Sequence, residues 1–272
     1  MQRVPRHVRK ACKLRKDRGV ALIIVLLVTA LLIALVFEFA YGTRVSLRAA
    51  VNFRDSQRAY YLARSGVNFT GALLSDNLKN NKPQDNLEQR EWQVVPLMTG
   101  SDTELKVRWE DEKGKININT ISTSLWVGDL FEQRGVGVGV GDNLKELIKE
   151  RPIQLLSELH KVLSDEDFNK VAKFLTVYSD KKIDINTAPE EVLSSVLTGQ
   201  GNVSSLSTII STRKDRPYTS VSDAGLSSAF FDVSSNIFKV YSSATVGGYT
   251  KQVEAVITRS TAGFSISYWK AL

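Results

Sequence analysis

Eighteen consecutive residues, Val20 to Phe37, carry no charge. As a helix rising about 1.5 Å per residue, such a run spans roughly 27 Å, close to the hydrocarbon thickness of a bilayer. Ahead of it, Arg3, Arg6, Arg9, Lys10, Lys13, Arg15, Lys16 and Arg18 stand against one acid, Asp17. Basic residues beside an apolar span are retained on the cytoplasmic side, so the rest of the chain is expected across the membrane. A secretory signal is cut after its apolar run, at a small-x-small site, and Ala40-Tyr41-Gly42 matches that weakly. Here a glycine, Gly19, stands between the basic leader and the apolar run. Cleavage between Gly19 and Val20 would leave the helix on the mature chain as an anchor or assembly element.

The formal net charge of +7 would ordinarily point to a polyanion. The leader accounts for all of it, because the 28 basic and 28 acidic residues that follow cancel. General attraction to nucleic acid is therefore not expected of the mature chain. The single cysteine, Cys12, lies in the leader, so the body can form neither a disulfide nor a cysteine-based zinc site. His7 and His160 are the only histidines, and a triad or histidine metal site in the body would rest on His160 alone. Neither a Gly-x-Ser-x-Gly elbow nor a paired-carboxylate motif stands out, and the chain is expected not to be an enzyme.

No proline falls between Pro5 and Pro83, so the helix can continue beyond the span. Glu38 ends the apolar run, either as a mark of the interface or as a contact to a neighbouring helix. Leu62, Gly66, Phe69 and Leu73 recur at helical steps, and one helix is expected from about Val20 to Leu78. Gly42 and Gly66 are positions where it could bend. Asn80 to Asn86 reads as loop. Leu105, Val107 and Trp109 alternate with polar residues as in a strand, Asp111 to Gly114 reads as a turn, and Ile116 and Ile118 alternate again. That pattern predicts a hairpin on the long helix, with a further strand over Trp92 to Leu97.

From about Thr120 to Leu226 the pattern becomes helical. The run Gly135 to Gly141 fits neither dinucleotide nor phosphate loop and reads as a mobile connector. Ser164 is an expected N-cap. In Lys182-Ile-Asp-Ile-Asn-Thr-Ala-Pro-Glu-Glu-Val-Leu193, Thr187 fits an N-cap with Glu190 closing a capping box, and Pro189 falls in the first turn. Val192, Leu193, Val196 and Leu197 are expected to face a core. Lys115-Ile-Asn-Ile-Asn-Thr120 echoes this box, and Asn119 and Asn186 are expected to bond the backbone locally. A helix, the hairpin Leu197 to Val203, a second helix and then Pro217-Tyr-Thr-Ser-Val resemble a helix-hairpin-helix unit. Such units grip DNA through hairpin amides and nearby lysines. This hairpin has no basic residue, and Arg213, Lys214 and Arg216 stand a helix away. The closing residues return to strands, with turns at Gly247-Gly248 and Thr261 to Gly263.

A basic leader, Gly19 and an uncut apolar helix resemble the class III signal read by a prepilin peptidase. Most proteins with that signal carry glutamate at the fifth residue after the cut, and here that residue is Ile24. With the helical insertion and the Asn186-Thr-Ala-Pro189 box, this departure resembles the type II secretion minor pseudopilin K family. The resemblance implies an α+β fold: a pilin-like long N-terminal helix on an antiparallel sheet, with a large inserted helical domain holding the helix-hairpin-helix module. The expected boundaries are a leader over 1–19, a membrane and assembly helix over 20–42, the α/β domain over 43–119 and 227–272, and the insertion over 120–226. It further implies a single-pass protein of the bacterial inner membrane, its bulk periplasmic, that ends at the tip of a pseudopilus. Implied partners are the I and J minor pseudopilins, the prepilin peptidase and the inner-membrane assembly platform. No cofactor is expected beyond a calcium option, with Asp129, Glu132 and Asp142 as candidate oxygen donors. The alternative reading is a membrane-tethered DNA receptor of a pilus or DNA-uptake system.

Overall fold

The computed structural model describes residues 17–80, 89–96, 101–120, 124–137 and 140–272. The leader up to Lys16 and most of the expected loop at 80–86 lie outside these. The chain divides into two units, Met1–Arg54 and Asp55–Leu272. One helix, α1 (Asp17–Lys79), supplies the described part of the first unit and the opening of the second. Gly42 and Gly66 both lie inside it without ending it.

In the second unit, five strands form one antiparallel sheet in the order β1-β2-β7-β8-β9. These are β1 (Gln89–Val94), β2 (Thr103–Asp111), β7 (Ile237–Val246), β8 (Tyr249–Ser260) and β9 (Gly263–Ala271). Alternation sets their inner face. Leu105, Val107 and Trp109 of β2 and Phe238, Val240 and Ala244 of β7 are buried in one cluster with Ala63, Val67 and Leu74 of α1. The buried stripe of the helix is Ala59, Ala63, Val67, Thr70 and Leu74, all fully covered. Leu62, Phe69 and Leu73 of the expected face flank it, half-buried. The stripe turned out smaller than expected because the helix sits close to the sheet. A Cβ on Gly66 would overlap Ser242 Oγ and come within 3.0 Å of Leu105 and Val107, and one on Gly71 would meet the Phe264 ring at 2.7 Å. The β7–β8 turn is the expected Gly247-Gly248, with φ of 55° and 85°. Both values lie in the left-handed region that a two-residue hairpin turn requires. Arg259, fully buried on β8, ties the layers: its Nε donates to Ser235 O at 2.9 Å and its Nη1 to Leu74 O at 3.1 Å.

The expected hairpin over 104–119 does not form. β2 pairs instead with β7 along its whole length, and the chain leaves the sheet after Asp111. Ile116 and Ile118 belong to a second apolar cluster among the helices, not to the sheet's. Their alternation records a short strand, β3 (Ile116–Asn117), parallel to β4 (Leu175–Thr176).

All the remaining helices lie between β2 and β7: α2 (Ser124–Gln133), α3 (Val140–Glu150), α4 (Asp165–Val171), α5 (Glu190–Thr198) and α6 (Leu206–Asp215). They follow one plan, used twice. β5 (Ile183–Asp184) pairs in parallel with β6 (Phe231–Asp232), as β3 does with β4. The side chains of Asn117 and Asp184 each accept from the amide two residues on, at 2.9 and 2.8 Å. Asn119 then brackets Ile153, donating to its carbonyl and accepting from its amide at 2.9 and 2.8 Å. Asn186 brackets Tyr218 in the same way at 3.0 and 2.7 Å, and also donates to Val233 O at 2.9 Å. The two asparagines thus join segments more than thirty residues apart, not local backbone. Each bracketed residue follows an Arg-Pro pair, Arg151-Pro152 and Arg216-Pro217.

Other local features bear out the sequence or amend it. Ser164 caps α4 by accepting from the Asp167 amide at 3.1 Å. Val192, Leu193, Val196 and Leu197 are fully buried. Helix α5 begins later than expected, with Pro189 rather than Thr187 as N-cap and no side-chain cap. Thr187 Oγ1 donates instead to Asp111 Oδ2 at 2.6 Å. The predicted connector at 135–141 is partly a helix end: Gly135, at φ 68°, lets the Val136 amide reach Phe131 O at 2.9 Å. Val136 is buried, and Gly141 already belongs to α3.

Gly66→Val should cost about 1–3 kcal/mol, the usual cost of forcing extra volume into a packed interface. Urea unfolding followed by tryptophan fluorescence would measure it, and an unchanged midpoint would mean that helix and sheet do not meet at Gly66.

Candidate functional site

The four residues singled out for processing and assembly all lie on α1 and are exposed. Gly19 and Val20 fall in its first turn, where the amides have no intrahelical acceptor. Val20 is 58% and Ile24 57% exposed. Every large apolar residue from Val20 to Phe37 that faces outward does so without a covering element in its own unit. The helix is long and apolar enough to cross a membrane. Glu38 follows at the end of the run.

A second feature was not foreseen. The turn after β2, read only as Asp-Glu-Lys-Gly, is the centre of a buried charge network. Lys115 lies between Glu112 at 2.6 Å and Glu110 at 3.1 Å. Burial alone would lower its ammonium, but the two glutamates outweigh burial and hold it well above the ordinary lysine range. Glu112 also accepts from the Thr176 hydroxyl. Lys113 pairs with Asp232 at 2.7 Å and with Asp180 at 3.5 Å. Burial works against both Lys113 and Asp232, yet their pairing raises the first and lowers the second.

Two carboxyl groups in the network lie close enough to repel. Asp111 is 2% exposed and Asp184 fully buried. Asp184 Oδ1 accepts from the Asn186 amide, while Oδ2 is buried without a hydrogen-bond partner. Burial first, and then the charge of Asp111, push Asp184 well above the ordinary carboxylate range. The signal available in sequence was the dense charge from Glu110 to Lys115, three acids followed by two lysines around Gly114, unusual for a simple turn.

The calcium candidates are not brought together. Asp129 and Glu132 are neighbours on α2, where burial and then the Glu132 charge raise Asp129. Asp142 lies on α3 and pairs with Lys145 at 2.9 Å. Among the described residues, no three of His, Cys, Asp and Glu are grouped so as to hold a metal ion. His160 packs against Phe168, ring centres 4.1 Å apart, with Nδ1 3.0 Å from Asp165. In the helix-hairpin-helix segment, the turn amides are used internally: Gly199 to Ser195, Gln200 and Asn202 to Leu197, and Gly201 to Thr198. Arg213 Nη1 donates to the carbonyls of Ile185 at 2.9 Å and Ala188 at 2.6 Å.

The chain was compared with known proteins. No protein-family model matches it, and no curated protein matches it in sequence. Among solved structures, a chain of the GspK-GspI-GspJ complex from the enterotoxigenic Escherichia coli type 2 secretion system is similar, with a TM-score of 0.60 at 13% identity. The match covers 83% of this chain and 99% of that one. The chain has a pseudopilin-like fold. At that identity the likeness speaks for the architecture: a long first helix, a five-stranded antiparallel sheet and further helices, an α+β protein.

Asp184 sets a testable pH dependence. Its folded-state value is raised, so the neutral carboxyl contributes fully below the unfolded value of about 4, and that contribution is lost as pH rises. Asp184→Asn should therefore flatten the decline in unfolding free energy as pH rises above the unfolded value of about 4 and be the more stable form at the upper end of the profile. Parallel pH profiles for the two proteins would show that Asp184 is ionised without penalty.

Proposed function

We propose that the chain is a minor pseudopilin of the K type, which caps the tip of a type II secretion pseudopilus. There it helps to start assembly for protein export across the outer membrane. One combination carries the reading: a pseudopilin-like fold behind an apolar helix whose fifth residue from the Gly19–Val20 bond is Ile24. The similar chain comes from a complex with GspI and GspJ. By that likeness, the I and J minor pseudopilins are the partners here, with the prepilin peptidase and the inner-membrane platform acting on the chain first. We read the protein as non-catalytic, anchored once in the inner membrane with its bulk in the periplasm.

The physical argument concerns charge in lipid. An unpaired carboxylate in lipid is costly, about 2.5–3.5 kcal/mol at the helix centre and less toward its ends. A neighbouring helix with a free terminal amine can supply that pairing. Ile24 brings no charge and so asks for no partner, which suits a subunit at the end of a stack. The helices between β2 and β7 enlarge the head, which suits a subunit on which no further one sits. Asp129, Glu132 and Asp142 are not carried forward as a calcium site. The rival reading, a tethered DNA receptor, is disfavoured by Arg213, whose guanidinium already serves the Ile185 and Ala188 carbonyls.

Mass spectrometry of the mature chain should find Val20 at the N-terminus when a prepilin peptidase is present, and the uncut leader when it is not. A mature chain starting beyond Phe37 would remove the helix and the reading with it. Ile24→Glu should leave secretion intact. Long filaments with this subunit throughout would instead sink the capping role.

A further inference from the structure

The two helical halves share a plan but differ at one place. Four residues before the proline of each Arg-Pro pair stand Ile148 in the first half and Arg213 in the second. Arg213 reaches the Ile185 and Ala188 carbonyls of its own half. The groove beside it, bordered by Asn186, Thr187 and Lys214, is polar. Ile148 is short and β-branched, and has no group to offer. Among the described residues, no lysine or arginine takes the Ile118 carbonyl, the counterpart of Ile185's. In this half a cavity of about 380 Å³ opens, walled by Ile118, Val127, Leu144 and Ile148. Lys145 and Lys149, both exposed, stand on its border.

The volume falls within the range of about 300–1,000 Å³ typical of small-molecule sites. Its apolar wall favours a ligand that sheds water on entry. The two lysines are four residues apart on α3 and so share a face. Lys145 is held by Asp142 at 2.9 Å, whereas Lys149 makes no ion pair among the described residues. We propose that this cavity binds a small amphipathic anion, an alkyl or aryl carboxylate. Its tail lies against Ile118, Val127, Leu144 and Ile148, and its carboxylate rests on Lys149. In the second half Arg213 stands at the corresponding sequence position, its guanidinium on the Ile185 and Ala188 carbonyls.

The test uses the full chain in lipid nanodiscs, with phenylbutyrate and its uncharged analogue phenylbutanol as probes. Saturation-transfer NMR against empty nanodiscs reads binding. Both probes should bind, the carboxylate about threefold more tightly, as one exposed ion pair provides. Lys149→Gln should bring the carboxylate to the level of the alcohol. Ile148→Arg, which copies Arg213, should abolish binding of both probes while the far-ultraviolet circular dichroism stays as in the parent. If that variant fails to fold, Ile148→Phe fills the same space without charge and should give the same loss. Transfer no greater than in empty nanodiscs, or binding that survives the filling variant, overturns the site. Equal binding of the two probes to the parent overturns the anionic class.

Discussion

Two partly buried lysines, Lys113 and Lys115, hold the polar seam on which the architecture of the second unit depends. A charge taken out of water alone costs several kcal/mol, and a partner is needed to offset it. Each lysine has two acidic partners: those of Lys115, Glu110 and Glu112, lie in the same turn, whereas those of Lys113 come from far along the chain, Asp232 being 119 residues away. The seam reaches both helical halves. Glu112 meets Thr176 of the first, and Asp111 and Lys113 meet Thr187 and Asp232 of the second. Removing one acid would leave its lysine with a single partner, so the seam favours one arrangement of these segments more sharply than an apolar contact could. Asp184 is its weak point, a carboxyl with one oxygen left over.

Much of this was legible because it rests on period and composition. The long helix needed only an apolar run, absent prolines and a later helical repeat. Strands β2, β7 and β8 needed only alternation and the Gly247-Gly248 turn. The K-type resemblance came from Gly19, Ile24 and the Asn186 box; the architecture is pseudopilin-like. What failed were inferences about partners. Ile116 and Ile118 alternate as a strand should, but alternation does not say which strand pairs with it, and β4 competes with β2 for them. Thr187 had the chemistry and spacing of a cap, yet Asp111, a stronger acceptor from across the fold, took its hydroxyl. The apolar face of α1 was read from Leu62, Gly66, Phe69 and Leu73, and of these only Gly66 is at the close approach. The close approach was made by alanine and glycine, whose small size is weak evidence in a sequence.

The two asparagine brackets show how a repeat can persist in structure while fading in sequence. Asn119 and Asn186 each supply a donor and an acceptor to one backbone residue from two separate atoms, a task that an ionised aspartate, which only accepts, cannot perform. The bracket and the amide turn before it are therefore held fixed, while helix faces around them are free to diverge. Arg213 and Ile148 are the clearest divergence: one closes its groove with a guanidinium, and the other leaves an apolar hollow.

Where the helical segment departs from the sheet, it also returns. Asp111 lies opposite Phe238, and the Glu112 amide still bonds Ile237 O at 3.0 Å. The strands thus form one hairpin whose connection has swollen into a body of its own, and its two ends are already clasped. Closing such a loop adds little entropic cost as it lengthens. A lineage can therefore enlarge, trim or exchange this body without rethreading the sheet, much as a pommel can be refitted without reforging the hilt.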